Sequence, residues 1–272
     1  MVRRDSLQWI VPVVLAVGVV VALWFYWYRT RAPEPPPEQA APAGQPAEER
    51  PAEPAHPLPQ PAPAAQEKKQ LEPLPPLDRS DEYFEMELTD LFGEPLEKQL
   101  VDQRLIERIV ATVDNLPRDH LAERIRPLAA VPGKFAVRDG DEGAANERYT
   151  LDPANYDRYE PLVNMIAETG TDDMVELYQR FYPLLQKAYV DLGYPDGYFN
   201  DRVVEVIDHL LATPDVTGPV ELTRPNVLYE FADPELEKLS SGQKALLRLG
   251  PENAAVVKAK LREFRELITA KQ

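Results

Sequence analysis

The chain has 272 residues, a net charge of −16 at pH 7 and no cysteine. Without cysteine it can form no disulfide, thiolate nucleophile, zinc–thiolate site or iron–sulfur cluster. Beyond residue 77 there are 38 acidic and 23 basic side chains, so this part should repel phosphate backbones, and we expect no nucleic-acid partner.

Residues 1–31 are predicted to form a cytoplasmic tail and a single membrane anchor. Residues 9–28 include no charged side chain, and a helix of this length spans about 30 Å, the thickness of the hydrocarbon core of a bilayer. The alternative is a cleaved signal peptide. That would have a shorter apolar core and small residues at the cut, whereas this stretch ends in five aromatic residues.

The flanking charges alone do not settle the orientation of the anchor, because the positive charges on its two sides are nearly equal in number. The short basic tail favours a cytoplasmic N-terminus, although basic residues flank both ends of the apolar stretch. We therefore expect a single-pass inner-membrane protein, held in the lipid bilayer through residues 9–28, with its C-terminal domain in the periplasm.

Residues 32–77 are predicted to be a disordered, proline-rich linker. They hold 15 prolines among 46 residues. Because proline removes backbone donors and fixes φ, neither a helix nor a sheet ladder should form. Such a segment favours semi-rigid polyproline-II conformations and would span on the order of 140 Å when extended. We interpret it as a spacer that holds the domain away from the membrane.

Residues 78–272 are predicted to form a compact, mainly α multi-helix domain with a minor β-hairpin. Apolar residues repeat at helical spacing, as at Phe84, Leu88 and Leu91. Thr171 and Ser241 are the expected N-caps of two helices. We expect helices at 78–92, 101–116, 152–168, 171–192, 200–212, 241–250 and 251–268, a short one from Asp233, a hairpin at 135–138 and 148–151, and an extended piece at 220–223.

Three strings carry a resemblance to a known family: IVATVDNLPRD at 109–119, LGYPDGYFNDR at 192–202 and LYEFADPELEKLSSGQKALLRLGPEN at 228–253. From residue 78 to its C-terminus, the chain resembles family 3014 of the domains of unknown function (DUF3014), found in Gram-negative bacteria. The resemblance implies a membrane-tethered envelope protein with an N-terminal anchor and a proline-rich arm. It carries over no catalytic residues.

A polar cluster on the helix predicted at 200–212 is the main candidate for metal chemistry. Asp201, Glu205 and His209 fall on one face, and an i, i+4 Glu–His pair can ligate a metal. A solvated helix face collects the same charges, so we predict neither a metal nor a cofactor. Nucleotide hydrolysis is not expected either, because the chain contains no G-x-x-x-x-G-K-[ST] phosphate loop.

Aromatic residues are concentrated between residues 178 and 199. Tyr194 and Tyr198 flank the turn Pro195-Asp196-Gly197, and together with Phe199 they are the candidate ligand-binding residues, since tyrosine is enriched at binding surfaces. The alternative is a tyrosine-rich core in which each hydroxyl is hydrogen-bonded.

The sequence therefore predicts a membrane-tethered envelope protein without an assignable reaction. It favours a non-catalytic binding or structural module whose partner is an envelope protein or a cell-wall component. The alternative function is an envelope hydrolase that uses carboxylates or a metal near Asp201, Glu205 and His209.

Overall fold

The computed structural model describes residues 53–59, 73–101, 103–139, 148–226 and 228–270. The predicted membrane anchor at 9–28 lies outside these residues. Within them, no helix is both long enough and apolar enough to cross a bilayer. All the described residues belong to one compact unit, which begins at Pro51.

More than half of the described residues lie in helices, which confirms the prediction of a mainly helical domain. The helices are α1 (Asp81–Phe92), α2 (Glu94–Glu97), α3 (Leu105–Asn115), α4 (Ala154–Asp157), α5 (Glu160–Glu168), α6 (Thr171–Asp191), α7 (Phe199–Leu211), α8 (Pro234–Glu237), α9 (Ser241–Leu249) and α10 (Pro251–Thr269). Short 3₁₀ turns occur at Leu77–Arg79 and Glu123–Ile125.

The main core surrounds α6, which packs against α1, α3, α7 and α10. Phe181 on α6 is fully buried, and its ring centroid lies 4.6 Å from that of Phe84 on α1. Ile106 on α3 and Ile268 on α10 are also fully buried. The apolar stripes that predicted these helices thus meet in one cluster, because each helix can bury its apolar face only against another.

The predicted hairpin is part of a larger sheet. Strands β1 (Val137–Asp139), β2 (Arg148–Leu151), β3 (Glu221–Thr223) and β4 (Glu230–Phe231) form a four-stranded antiparallel sheet in the order β1-β2-β3-β4. The extended piece expected at 220–223 pairs with β2, with Tyr149 opposite Leu222. Buried Leu151, Leu222 and Phe231 form a second, smaller core.

Several helix boundaries differ from the prediction. Helix α1 begins at Asp81 rather than at residue 78, because residues 77–79 form a 3₁₀ turn that the Ser80 hydroxyl closes by donating to the Leu77 carbonyl at 2.8 Å. The helix expected at 152–168 is divided into α4 and α5.

The two predicted N-caps are each off by one residue. Gly170, not Thr171, precedes α6, and the Thr171 hydroxyl donates to Glu263 at 2.7 Å. Ser240, not Ser241, caps α9, because Gln243 stands at the third helical position and completes a capping box with it.

The predicted linker includes two stretches that pack against the domain. Leu58 and Leu74 are half-buried against the main core, and Leu77 is buried within it. Residues 53–59 and 73–77 therefore belong with the domain. A leucine in a proline-rich segment can still bury its side chain, since proline forbids helices and ladders but not side-chain contacts.

Candidate functional site

The segment formed by residues 53–59, EPAHPLP, lies against α6 and the first turn of α7; we call it the docked segment. Two of its backbone N–H groups donate to Asp201. Ala55 N lies 2.9 Å from Asp201 Oδ2, and His56 N lies 2.6 Å from Oδ1. A single carboxylate at the start of a helix thus binds two consecutive peptide N–H groups.

Two further hydrogen bonds reach the carbonyl groups of the docked segment. Asn200 Nδ2 donates to the His56 carbonyl at 2.8 Å, and Gln179 Nε2 donates to the Pro59 carbonyl at 3.0 Å. Leu58, between these two carbonyls, packs against the main core. The domain therefore holds the segment through its backbone and one apolar side chain, a combination found when extended peptides bind to folded domains. We call the surface formed by Gln179, Asn200 and Asp201 the peptide cleft.

Among the described residues, a second carboxylate binds two consecutive backbone N–H groups, at a contact within the fold. The carboxylate of Asp81, at the start of α1, accepts from Arg104 N at 2.6 Å and from Leu105 N at 2.8 Å. There it satisfies two donors at the N-terminus of α3, which would otherwise lack partners. Charge-assisted bonds of this kind are about twice as strong as neutral ones. The two bonds to Asp201 should therefore contribute strongly to holding the docked segment.

Asn200 is the buried centre of the peptide cleft, with 1% of its surface exposed. Its Oδ1 accepts from the Tyr178 hydroxyl at 3.0 Å, and its backbone N–H donates to the Tyr182 hydroxyl at 3.4 Å. Its side-chain amide also donates to the carbonyl of Ile268, on α10, at 3.4 Å. These bonds fix the side chain so that the other amide hydrogen points to the docked segment.

Two tyrosine hydroxyls support Asn200, and both stay protonated. Burial raises the pKa of Tyr178 far above its usual value, and the neighbouring Tyr182 and Asp201 raise it further. Burial likewise raises the pKa of Tyr182. A phenol with a raised pKa keeps its proton near neutral pH, so the hydroxyl of Tyr178 remains a donor to Asn200.

The three predicted ligand-binding aromatics occupy different environments. Phe199 is 1% exposed and belongs to the main core. Tyr194 is half-buried and stacks on Tyr189 with ring centroids 4.6 Å apart. Tyr198 is half-buried immediately before α7. The tyrosines that contact Asn200 are Tyr178 and Tyr182 instead.

A buried carboxylate connects this region to α3. Asp114, 2% exposed, accepts from Arg202 Nε at 3.0 Å, from Arg118 at 3.0 Å and from the Tyr194 hydroxyl at 3.2 Å. Arg202 also donates to the Asp114 backbone carbonyl at 2.7 Å. Because Arg202 follows Asp201 directly, this network holds the first turn of α7 in place.

The three residues of the alternative metal site have separate partners. Asp201 binds the docked segment, Glu205 accepts from Arg202 at 2.8 Å, and His209 Nε2 lies 2.9 Å from the Ser240 hydroxyl. Among the residues that the structure describes, no group of three or more His, Asp or Glu side chains is placed to hold a metal ion.

Sequence reasoning placed Asp201 in a candidate site but missed Gln179, Asn200 and the docked segment. One signal was available. The arm is almost entirely proline, alanine and polar residues; three of its four leucines lie in its last seven residues, and Leu58 stands apart from them. A lone leucine in such a segment indicates a contact.

Comparison with known proteins gives one match. A family model described as "Protein of unknown function (DUF3014)" matches residues 105–265, which include the whole peptide cleft but not the docked segment. No curated protein and no solved structure matches the chain. The family match covers more than half of the 272 residues and confirms the resemblance seen in the sequence strings: the chain belongs to the DUF3014 family.

Proposed function

We propose that the chain is a membrane-tethered envelope protein whose helical domain is a non-catalytic module that binds extended peptide segments. The domain would face the periplasm and bind a partner envelope protein at the peptide cleft. The observation that carries the proposal is the docked segment, whose backbone donates two hydrogen bonds to Asp201 and accepts one each from Asn200 and Gln179.

Backbone recognition indicates the class of ligand. Main-chain hydrogen bonds supply affinity for any extended chain, whereas pockets for particular side chains supply specificity. The cleft provides two acceptor oxygens and two donor groups, and the main core beside it takes up the side chain of Leu58. A glycan strand offers no consecutive peptide N–H groups, so a peptide fits this surface better than a cell-wall sugar does.

The surroundings of the cleft support binding rather than catalysis. The nearby carboxylates Asp114 and Glu205 are both bound to Arg202. A partly open apolar pocket of about 280 Å³ is lined by residues of α1, α3, α6, α7 and α10, and none of these residues is charged. General acid–base or nucleophilic catalysis needs a titratable group or a nucleophile that is free to act on the substrate, whereas the carboxylate of the cleft, Asp201, accepts two backbone N–H groups of the docked segment.

The membrane part of the proposal rests on residues 9–28. Their uncharged length matches the thickness of a bilayer, and the aromatic residues at the end of this stretch, with the basic residues that follow it, are typical of an interfacial anchor. Extraction of bacterial membranes at alkaline pH should leave the protein in the membrane pellet. Protease added outside spheroplasts should digest the domain. Recovery of an N-terminally trimmed chain in the soluble fraction would contradict this assignment.

The peptide-binding part can be tested with the domain alone. Residues 73–272 hold every helix and strand that the structure describes. We would titrate them with a fluorescein-labelled PAEPAHPLPQ peptide, which reproduces residues 51–60, and follow the anisotropy. Far-UV circular dichroism would verify the fold of each preparation.

The decisive comparison is Asp201→Asn with Asp208→Asn. Both residues lie on α7, but Asp208 binds Arg265 at 2.6 and 2.9 Å instead of the docked segment. A hydrogen bond to a charged group contributes about 1.5–3 kcal/mol. Because asparagine keeps one acceptor oxygen, we expect Asp201→Asn to weaken binding by about 10- to 30-fold, and Asp208→Asn to leave it unchanged. Equal effects of both substitutions, or no binding at millimolar peptide, would refute the proposal.

A further inference from the structure

We infer that the docked segment is an intramolecular competitor for the peptide cleft, and that its backbone pattern defines the ligands able to replace it. The inference rests on the proposed peptide-binding function and adds to it a ligand class and a means of regulation. A partner peptide has to displace residues 53–59 before it can bind, because both use Gln179, Asn200 and Asp201.

The positions of the prolines define the ligand pattern. Asp201 binds the N–H groups of Ala55 and His56, and the residues on either side, Pro54 and Pro57, have no N–H. A ligand therefore needs two adjacent non-proline residues at these positions. Proline is tolerated on both sides of them and favours the extended conformation, which lowers the entropic cost of binding.

Leu58 determines which residues of the arm align with the peptide cleft. The arm has four Pro-x-x-Pro windows, and two of them, the overlapping windows 51–54 and 54–57, have no proline at either middle position. Of these two, only the second is followed, after its last proline, by leucine; the first has Ala55 at the equivalent position. The second window is the one whose N–H groups meet Asp201, and Leu58 packs against the core. The pattern that fits the cleft is thus Pro-x-x-Pro followed by a large aliphatic residue.

The docked segment is suited to reversible occupancy. It is held by four hydrogen bonds and one half-buried leucine, so its intrinsic affinity should be modest, on the order of 0.1 mM. Thirteen residues, 60–72, join it to the domain. Short linkers give effective concentrations in the millimolar range. With an effective concentration of about 1 mM and a dissociation constant of about 0.1 mM, the cleft would be free about one-tenth of the time. An external peptide would therefore bind about tenfold more weakly than to an empty cleft.

Displacement also changes the length of the tether. With the docked segment in place, residues 32–52 join the membrane anchor to the domain, and after release the joining chain is 32–72. At about 3.1 Å per residue, the maximum reach increases from about 65 Å to about 130 Å. Ligand binding would thus extend the distance over which the domain can act.

The test measures binding of the labelled PAEPAHPLPQ peptide to the full chain in detergent micelles or nanodiscs. Leu58→Asp removes the apolar contact of the docked segment without altering the cleft. Leu228→Asp makes the same substitution at a position that is 74% exposed. We expect Leu58→Asp to bind the peptide about tenfold more tightly than the unmodified chain, and Leu228→Asp to bind it as the unmodified chain does. His56→Pro in the chain removes one donor to Asp201 and is the second variant that should open the cleft.

Peptide variants test the pattern independently. Proline at the position of Ala55 or His56 should weaken binding at least tenfold, whereas proline at the exposed position of Glu53 should not. If the peptide binds but Leu58→Asp and His56→Pro leave its affinity unchanged, the competitor role is refuted while the proposed function stands. If the proline-substituted peptides bind equally well, the backbone pattern is refuted. If no variant of the chain binds the peptide, the proposed function itself fails.

Discussion

Replacing Asp114 by alanine should produce a large loss of stability, because this carboxylate is the buried centre of the network beneath the peptide cleft. Its side chain is 3% exposed and accepts hydrogen bonds from Arg202, Arg118 and Tyr194. Alanine would leave the Arg202 guanidinium, 18% exposed, without its most buried partner. Breaking a buried ion pair by removing one partner costs about 3–5 kcal/mol, since the remaining charge is uncompensated.

We expect the lower end of this range for Asp114→Ala. Arg202 keeps a second carboxylate, Glu205, at 2.8 Å, but Glu205 is 68% exposed and its attraction is screened by water. A loss of about 3 kcal/mol is a large fraction of the 5–15 kcal/mol typical of folded domains.

The free energy of unfolding would be measured by urea denaturation followed by circular dichroism, with the midpoint and the slope fitted together. Arg118→Ala is the matched control, because it removes the partner of Asp114 that is 56% exposed and should cost less than about 1 kcal/mol. Equal midpoints for Asp114→Ala and Arg118→Ala at unchanged slope would refute this account of the network.

Two further predictions concern the tyrosines and glycines of the domain. Since the pKa of Tyr178 is raised by burial, the unfolded state loses this proton at lower pH than the folded state. The contribution of Tyr178 to the free energy of unfolding should therefore be complete below about pH 10 and fall as the pH rises above it. The part of the tyrosinate absorbance that a Tyr178→Phe variant lacks should appear together with the loss of the circular dichroism signal, and its appearance in the still folded protein would contradict the burial. Gly250 has φ +86°, and a Cβ atom there would lie 2.5 Å from the ring of Tyr156, whereas Gly218 has φ +96° and open space around it. Gly218→Ala should lower the free energy of unfolding by about 1–2 kcal/mol, because alanine disfavours the left-handed backbone. Gly250→Ala should lower it clearly more, as measured by thermal unfolding. Equal losses would show that Tyr156 moves aside.

The helices could be predicted from the sequence because their signals are local. The apolar stripe of α7 places Val203, Val204 and Ile207 on one side, and all three are buried in the structure. The short helix expected from Asp233 begins at Pro234, and the Asp233 side chain caps it by accepting from the backbone N–H of Glu235. The Ser240 cap was also readable, since Gln243 stands three residues after it and not after Ser241.

The sheet could be predicted only in part, because strand pairing is not local. The hairpin strands β1 and β2 lie close in sequence, but β2 pairs with β3 across more than 70 residues, with Arg148 opposite Thr223. Short strands of two or three residues have too few positions to show an alternating pattern. Their pairing depends instead on the buried cluster around Leu222, which only the assembled fold brings together.

The polar face of α7 shows why a site can be visible in a sequence while its partner is not. Asp201, Glu205, Asp208 and His209 have the spacing of a solvated face, yet each has its own partner in the structure: the docked segment, Arg202, Arg265 and Ser240. Periodicity reports which side of a helix is polar, but a carboxylate that binds water and one that binds two peptide N–H groups follow the same pattern. The difference lies in residues 55 and 56, about 145 positions earlier in the chain, where composition alone predicted a linker without contacts. Leu58 explains why this part of the predicted linker lies against the domain, because burial of its apolar side chain away from water lowers the free energy.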